Sequence, residues 1–120
     1  MSATIAHTVR RLMTGVVRFG TGHAAAIPGV VVAGKTGTAE LRSASDCPAE
    51  RSNTQPEAES ESSDCEAEAN SPKNTDAWFA AFAPALHPRI AVAVLLVADG
   101  AGGDTAAPVA RQVIEAGLRR

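Results

Sequence analysis

Between Leu41 and Thr75 the chain carries almost nothing that a folded core can use. The stretch holds Asp46, Glu50, Glu57, Glu59, Glu61, Asp64, Glu66 and Glu68 against Arg42, Arg51 and Lys73. Ser, Ala, Pro and Asn supply most of the rest, no aromatic residue occurs, and Leu41 is its sole large aliphatic side chain. Such a segment cannot bury enough apolar surface to offset its conformational entropy. It reads as a solvated, disordered acidic insertion at 41–75, with an acidic interaction segment as the alternative, so any core has to come from the two flanking blocks. Loops of this length inside compact domains are uncommon and are usually functional or disordered.

The flanking blocks are rich in pattern. Ile5, Val9, Leu12, Met13, Val16 and Val17 recur at helical spacing and predict a helix over 3–18, with Ser2 or Thr4 as its cap and Gly20 and Gly22 at its end. Pro28-Gly29 marks a turn. Val30 to Thr38 reads as a strand, four small or β-branched residues running into Lys35-Thr36-Gly37-Thr38. Ala77 to Ala83 is a second strand with Trp78, Ala80 and Phe82 on one face. Arg89 to Ala98 is a third, apolar on both faces, which argues for cover above and below. After the Gly100–Gly103 loop, residues 105–118 form a closing helix with Pro108 in its first turn, Asp104 or Thr105 as cap, and Val109, Val113, Ile114 and Leu118 as core face. The order helix, strand, insertion, strand, strand, helix is α+β, an antiparallel meander with helices packed on it. Two helices are too few to cover three strands on both sides, so the 120 residues are expected to be the last part of a domain.

Several functions are excluded by composition. Net charge is −2, with no basic stripe and no aromatic platform, so nucleic acid is not an expected partner. No apolar run reaches the about 18 residues of a membrane span. Met1 to Gly20 is amphipathic with Arg10, Arg11 and Arg18 inside the pattern, so no signal peptide is expected in the chain as written. His7, His23 and His87 fall in three different elements, and Cys47 and Cys65 are too far apart for a C-x-x-C pair, so no metal and no cofactor is expected. Both cysteines lie in the insertion. In an oxidising compartment a Cys47–Cys65 disulfide can close it, whereas in the cytosol both are free thiols; the residues leave that choice open.

The chemistry-bearing residues are Lys35-Thr36-Gly37-Thr38. A strand delivers a cation and two hydroxyls rigidly to a site, and Gly37 removes a side chain that would keep a substrate off the backbone. Taken alone the tetrapeptide is a weak signal and reads first as an exposed strand end; its surroundings change that balance. Gly29 to Thr36 also satisfies the P-loop pattern G-x-x-x-x-G-K-[ST]. A P-loop, however, needs a strand before its first glycine and a helix beginning at its lysine. Here Val30-Val31-Val32-Ala33 itself favours a strand, and the residues after Lys35 lead into the insertion. The Gly100-Ala101-Gly102-Gly103 loop lacks G-x-G-x-x-G spacing, because the third position falls on Thr105, and reads as a flexible loop.

Taken together, Met13-Thr14-Gly15-Val16-Val17, Gly20-Thr21-Gly22-His23-Ala24 and Gly29 through Glu40 resemble the C-terminal part of penicillin-binding protein transpeptidase domains, most like the monofunctional class B enzymes. Ala77 to Pro84, the apolar strand after it and the closing helix fit the same resemblance, which covers nearly everything outside 41–75. It implies the penicillin-binding protein/serine β-lactamase-like fold and acyl transfer through a serine, with K-T-G as the third of three boxes. Carried over by position, Lys35 places positive charge beside the nucleophile and the substrate carboxylate. Thr36 and Thr38 offer hydroxyls to that carboxylate, the Thr38 N–H is an oxyanion donor, and Gly37 keeps the strand edge open. The implied activity is D,D-transpeptidation of peptidoglycan stem peptides outside the cytoplasmic membrane, with β-lactams as acylating ligands. The implied partners are the N-terminal part of the same domain and a cell-wall glycosyltransferase.

The departures are specific. The chain contains no S-x-x-K and no S-x-N, and Ser62-Ser63-Asp64 lies in the insertion. The nucleophile, its lysine and the second box are missing, so these residues by themselves are expected to be inactive. A serine β-lactamase, a D,D-carboxypeptidase and a non-catalytic penicillin-sensing domain share the third box and remain alternatives.

Overall fold

The computed structural model describes residues 1–41, 67 and 71–119. Helix α1 spans Ala3–Phe19. Its first turn is capped by Ser2, whose hydroxyl oxygen accepts the Ile5 N–H at 3.3 Å. At its end the Val16 carbonyl accepts both the Gly20 and Gly22 N–H groups, at 3.1 and 3.0 Å. A 3-10 turn at His23–Ala25 follows. Three strands then form one antiparallel sheet in the order β1-β2-β3: β1 is Ala33–Glu40, β2 is Thr75–Ala83 and β3 is Ile90–Leu96. Helix α2, Ala106–Leu118, closes the described chain.

The element order and the antiparallel meander match the sequence reading, while several strand limits move, β1 running on past Thr38 to Glu40 and β3 spanning Ile90–Leu96 within the expected 89–98. Strand β1 begins at Ala33 instead of Val30. Gly29 adopts φ 77°, and Val30 folds back so that its N–H meets the Ile27 carbonyl at 3.1 Å. That turn consumes the first valines before pairing starts. Strand β2 begins earlier than expected: Glu40 pairs with Thr75, and the Leu41 N–H reaches the Asn74 carbonyl at 2.8 Å. Ser71 caps a short 3-10 turn at Pro72–Asn74. The expected limit of the insertion at Thr75 therefore falls within the folded part. Cys47, Cys65 and the rest of the insertion, apart from Leu41 and Ala67, lie outside the described residues up to position 70.

Strand alternation decides where the core sits. Ala77, Phe79, Ala81 and Ala83 are buried, and Ile90, Val92, Val94 and Leu96 of β3 pack onto the same cluster with Ile114 of α2. The opposite face carries Trp78, which is 44% exposed, with Ala80, Ala93 and Leu95, also exposed. Cover on both faces of β3 was expected; among the described residues only one face is covered. Helix α1 shows the same asymmetry. Val17 is buried, while Leu12 at the middle of the predicted stripe is 63% exposed.

The expected core face of α2 holds at Ile114 and Leu118 and is corrected at Val109 and Val113. Ala106, Ala107, Ala110 and Ile114 are buried, whereas Val113 is 45% exposed and Val109 is also exposed. The cause is close approach: a Cβ at Gly117 would fall 2.2 Å from Ile90 Cδ1. A helix this near a sheet presents its small residues, and the larger valines turn outward. No helix among the described residues is long and apolar enough to cross a membrane.

Phe79 is fully buried and belongs to this core cluster. Phe79→Ala should lower the unfolding free energy by about 3–5 kcal/mol, against a much smaller loss for Trp78→Ala, its half-exposed neighbour. Urea denaturation followed by far-UV circular dichroism checks the contrast; equal losses would mean that the two faces are buried alike.

Candidate active site

Lys35-Thr36-Gly37-Thr38 lies in the middle of β1, the outer strand of the sheet. β1 pairs with β2 on one side, and no strand among the described residues pairs with its other edge. Lys35 sits opposite Ala80 and Gly37 opposite Trp78, on one face; Thr36 opposite Phe79 and Thr38 opposite Ala77 are on the other. A ligand lying along the free edge would therefore meet the cation from one side of the strand and the hydroxyls from the other. This placement also disposes of the P-loop pattern, because Lys35 is inside a strand and not at the start of a helix.

The Lys35 ammonium is exposed and donates to the carbonyl of Thr36 at 2.7 Å. It makes no ion pair with another described residue. The Thr36 hydroxyl lies 3.0 Å from the Thr21 hydroxyl, which ties β1 to the turn after α1. The Gly102 N–H points at the Thr38 hydroxyl oxygen across a long 3.5 Å. On the far side Thr38 borders an open cavity of about 730 Å³ shared with Glu40, Lys73, Asp99 and Asp104. Gly37 matters for packing as well as access, since a Cβ there would stand 3.1 Å from the Trp78 Cβ.

The sequence reading missed the supports of this strand. Thr21 was visible only as part of Gly20-Thr21-Gly22, with nothing in its pattern to pair it with Thr36. The Gly100–Gly103 segment, read as a flexible loop, is instead tied down. Thr75 donates its hydroxyl to the Gly100 carbonyl at 2.9 Å, and the Asp99 N–H reaches the Thr75 carbonyl at 3.0 Å. The Asp76 carboxylate accepts the Ala98 N–H at 3.0 Å, holding Ala98 at a φ of 54°. Gly102 and Gly103 are buried. Among the described residues no cluster of three His, Cys, Asp or Glu side chains could hold a metal ion.

Because the Thr21–Thr36 contact joins two elements, Thr21→Val and Thr36→Val should each reduce stability by about 1 kcal/mol, and the double variant by little more than either one. A double-mutant cycle by urea denaturation measures this. Additive losses would show that the two hydroxyls act independently.

The model of the penicillin binding protein transpeptidase domain matches residues 1–115. The chain is 36% identical over 127 aligned positions to the peptidoglycan D,D-transpeptidase PbpA of Mycobacterium tuberculosis, covering 99% of this chain and 20% of that protein. The PbpA of Mycolicibacterium smegmatis matches with the same identity and coverage. Among solved structures, the D,D-transpeptidase domain of a peptidoglycan glycosyltransferase from Eggerthella lenta superposes with a TM-score of 0.66 at 34% identity, over 99% of this chain and 21% of that one. Penicillin-binding protein A from M. tuberculosis, solved as a ceftriaxone acyl-enzyme complex, gives 0.64 at 35% identity, over 98% of this chain and 22% of that one. The chain thus spans about a fifth of the length of the curated relatives it matches. An antiparallel sheet with Lys-Thr-Gly on its open edge, and a family match along nearly the whole sequence, together place this chain in the penicillin-binding protein transpeptidase family.

Proposed function

We propose that this segment forms one wall of an acyl-serine site in a D,D-transpeptidase that crosslinks peptidoglycan stem peptides and is acylated by β-lactams. The observation that carries the reading is the position of Lys35-Thr36-Gly37-Thr38 on the open edge of β1, in a chain of this family. The reading requires a nucleophilic serine with its companion lysine, and an S-x-N box, from outside these 120 residues, since the sequence contains neither S-x-x-K nor S-x-N. Without them the segment carries out no acyl transfer.

In this mechanism the serine oxygen attacks the carbonyl carbon of the donor peptide, and the peptide C–N bond breaks to release the terminal amino acid. An amine of a second stem peptide then attacks the ester and restores the serine. The Thr38 N–H faces the carbonyl oxygen as its charge develops. Lys35 contributes positive charge beside the nucleophile and the substrate carboxylate, and the Thr36 and Thr38 hydroxyls hold that carboxylate. Gly37 leaves room for the acyl group along the strand edge. The substrate polymer puts the work at the extracytoplasmic face of the membrane, beside the N-terminal part of the same domain and with a cell-wall glycosyltransferase as the expected partner enzyme.

The test is acylation by a fluorescent penicillin in a complete transpeptidase domain carrying this segment. Thr38→Pro deletes the N–H, and removing one oxyanion donor should slow labelling about 10²- to 10³-fold. Thr38→Val keeps the N–H and should lose less. Lys35→Ala should also label slowly. Labelling of Thr38→Pro at the unsubstituted rate would overturn the oxyanion assignment, and failure of the unsubstituted domain to label at all would overturn the function.

A further inference from the structure

Behind the Gly37–Trp78 pair, the strand side chains point away, leaving bare backbone between the Thr36–Phe79 and Thr38–Ala77 pairs. Gly102 is seated against that backbone. A Cβ at Gly102 would fall 2.1 Å from the Trp78 carbonyl oxygen, 2.4 Å from the Gly37 carbonyl oxygen and 3.1 Å from the Gly37 nitrogen. Gly103 stands next to it, where a Cβ would lie 2.2 Å from the Thr21 carbonyl oxygen and 3.4 Å from Thr36 Cγ2. Apart from the Thr36 methyl, these are backbone atoms that no rotamer change can move aside.

We infer that Gly102 and Gly103 are positioning residues of the acyl-transfer site, a backbone wedge that sets the level of the Lys35–Thr38 edge. The inference rests on the function proposed above. The loop is the stiffer of the two bodies in contact. It is held at Gly100 by the Thr75 hydroxyl, at Asp99 by the Thr75 carbonyl and at Ala98 by Asp76. Its other end runs into α2, where the Gly102 carbonyl accepts the Ala107 N–H at 2.9 Å. Among the described residues β1 is paired on one side only, so it is the element that yields. Relieving the 2.4 Å contact with the Gly37 carbonyl oxygen needs a shift of β1 on the order of 1 Å toward ordinary van der Waals separation. A misplacement of about 1 Å can slow a positioned reaction about 10²-fold. At Gly102 the displacement would act on Gly37 and, one residue on, on the Thr38 N–H; at Gly103 it would act on the Thr21 turn, whose hydroxyl meets that of Thr36 at 3.0 Å.

The experiment uses a full-length transpeptidase carrying this segment and a fluorescent penicillin, with stopped-flow separation of the pre-acylation dissociation constant from the acylation rate constant. Gly102→Ala and Gly103→Ala should each lower the acylation rate constant about 100-fold and change the dissociation constant by no more than about two-fold, with a cooperative melting transition retained. Gly15→Ala is the matched control, since a Cβ there meets nothing within 4 Å, and it should acylate at the unsubstituted rate. Unchanged acylation in a folded Gly102→Ala or Gly103→Ala protein overturns the inference, as does a loss confined to the dissociation constant. If either variant fails to fold, Asp76→Ala decides the matter, because it releases the Ala98 N–H without adding an atom. Several-fold slower acylation then supports the wedge, and an unchanged rate overturns it. An unsubstituted protein that is never labelled overturns the proposed function itself, a result distinct from labelled glycine variants.

Discussion

The packing of Phe79 against bare backbone is the contact on which the other elements depend. The ring is fully buried, and a Cβ at Gly34 would fall 2.5 Å from its Cζ, while one at Gly22 would fall 3.0 Å from its Cε2. Val16 of α1 meets Gly22 at the same point, where that Cβ would lie 3.1 Å from Val16 Cγ1. One aromatic side chain of β2 thereby joins the end of α1, the turn after it and the strand that bears Lys35. Burial of an aromatic ring is among the larger single contributions to a small core, and here it also removes freedom from three segments at once. The order that makes β1 useful comes from behind the strand.

That arrangement explains how much was legible in the sequence. The strands at Ala77 and Arg89 were readable because alternation and a continuous apolar run leave a periodic record. The tetrapeptide Lys35-Thr36-Gly37-Thr38 was readable as a candidate site because it follows an apolar run and has a recognisable context. The supports of β1 were not readable, since they are made by glycines, whose packing leaves no hydrophobic signal. Gly102 and Gly103 look like a flexible loop in one dimension; in three, they are buried against Thr21, Gly37 and Trp78. The α2 face was misassigned for the same reason. Hydrophobicity favours Val109 and Val113, but the buried face of the helix is made by Ala106, Ala107, Ala110 and Ile114, with Gly117 close against Ile90.

The two faces of the sheet divide the labour. One is a close-packed layer of Phe79, alanines and α2, with Thr36 and Thr38 turned toward it. The other carries Lys35, Trp78 and Leu95 in the open. The tetrapeptide straddles the boundary, so its two threonines take part in the support while its lysine faces outward. Chemistry at such an edge draws on both sides of the strand, and the backbone between them is the shared surface.

An unpaired strand edge is also a template for another chain, and many proteins blunt such edges with charge or irregularity. Along β1 the residues at risk are Ala33, Gly34, Lys35, Thr36, Gly37 and Thr38. None has a large apolar side chain, two are glycines, and one carries a full positive charge. A dry zipper between identical copies needs interlocking apolar side chains, which this edge does not offer, and stacking it in register would bring lysine against lysine. The composition that leaves this edge open among the described residues therefore also makes it a poor seed for self-assembly, so openness and resistance to edge-to-edge pairing come from the same six residues.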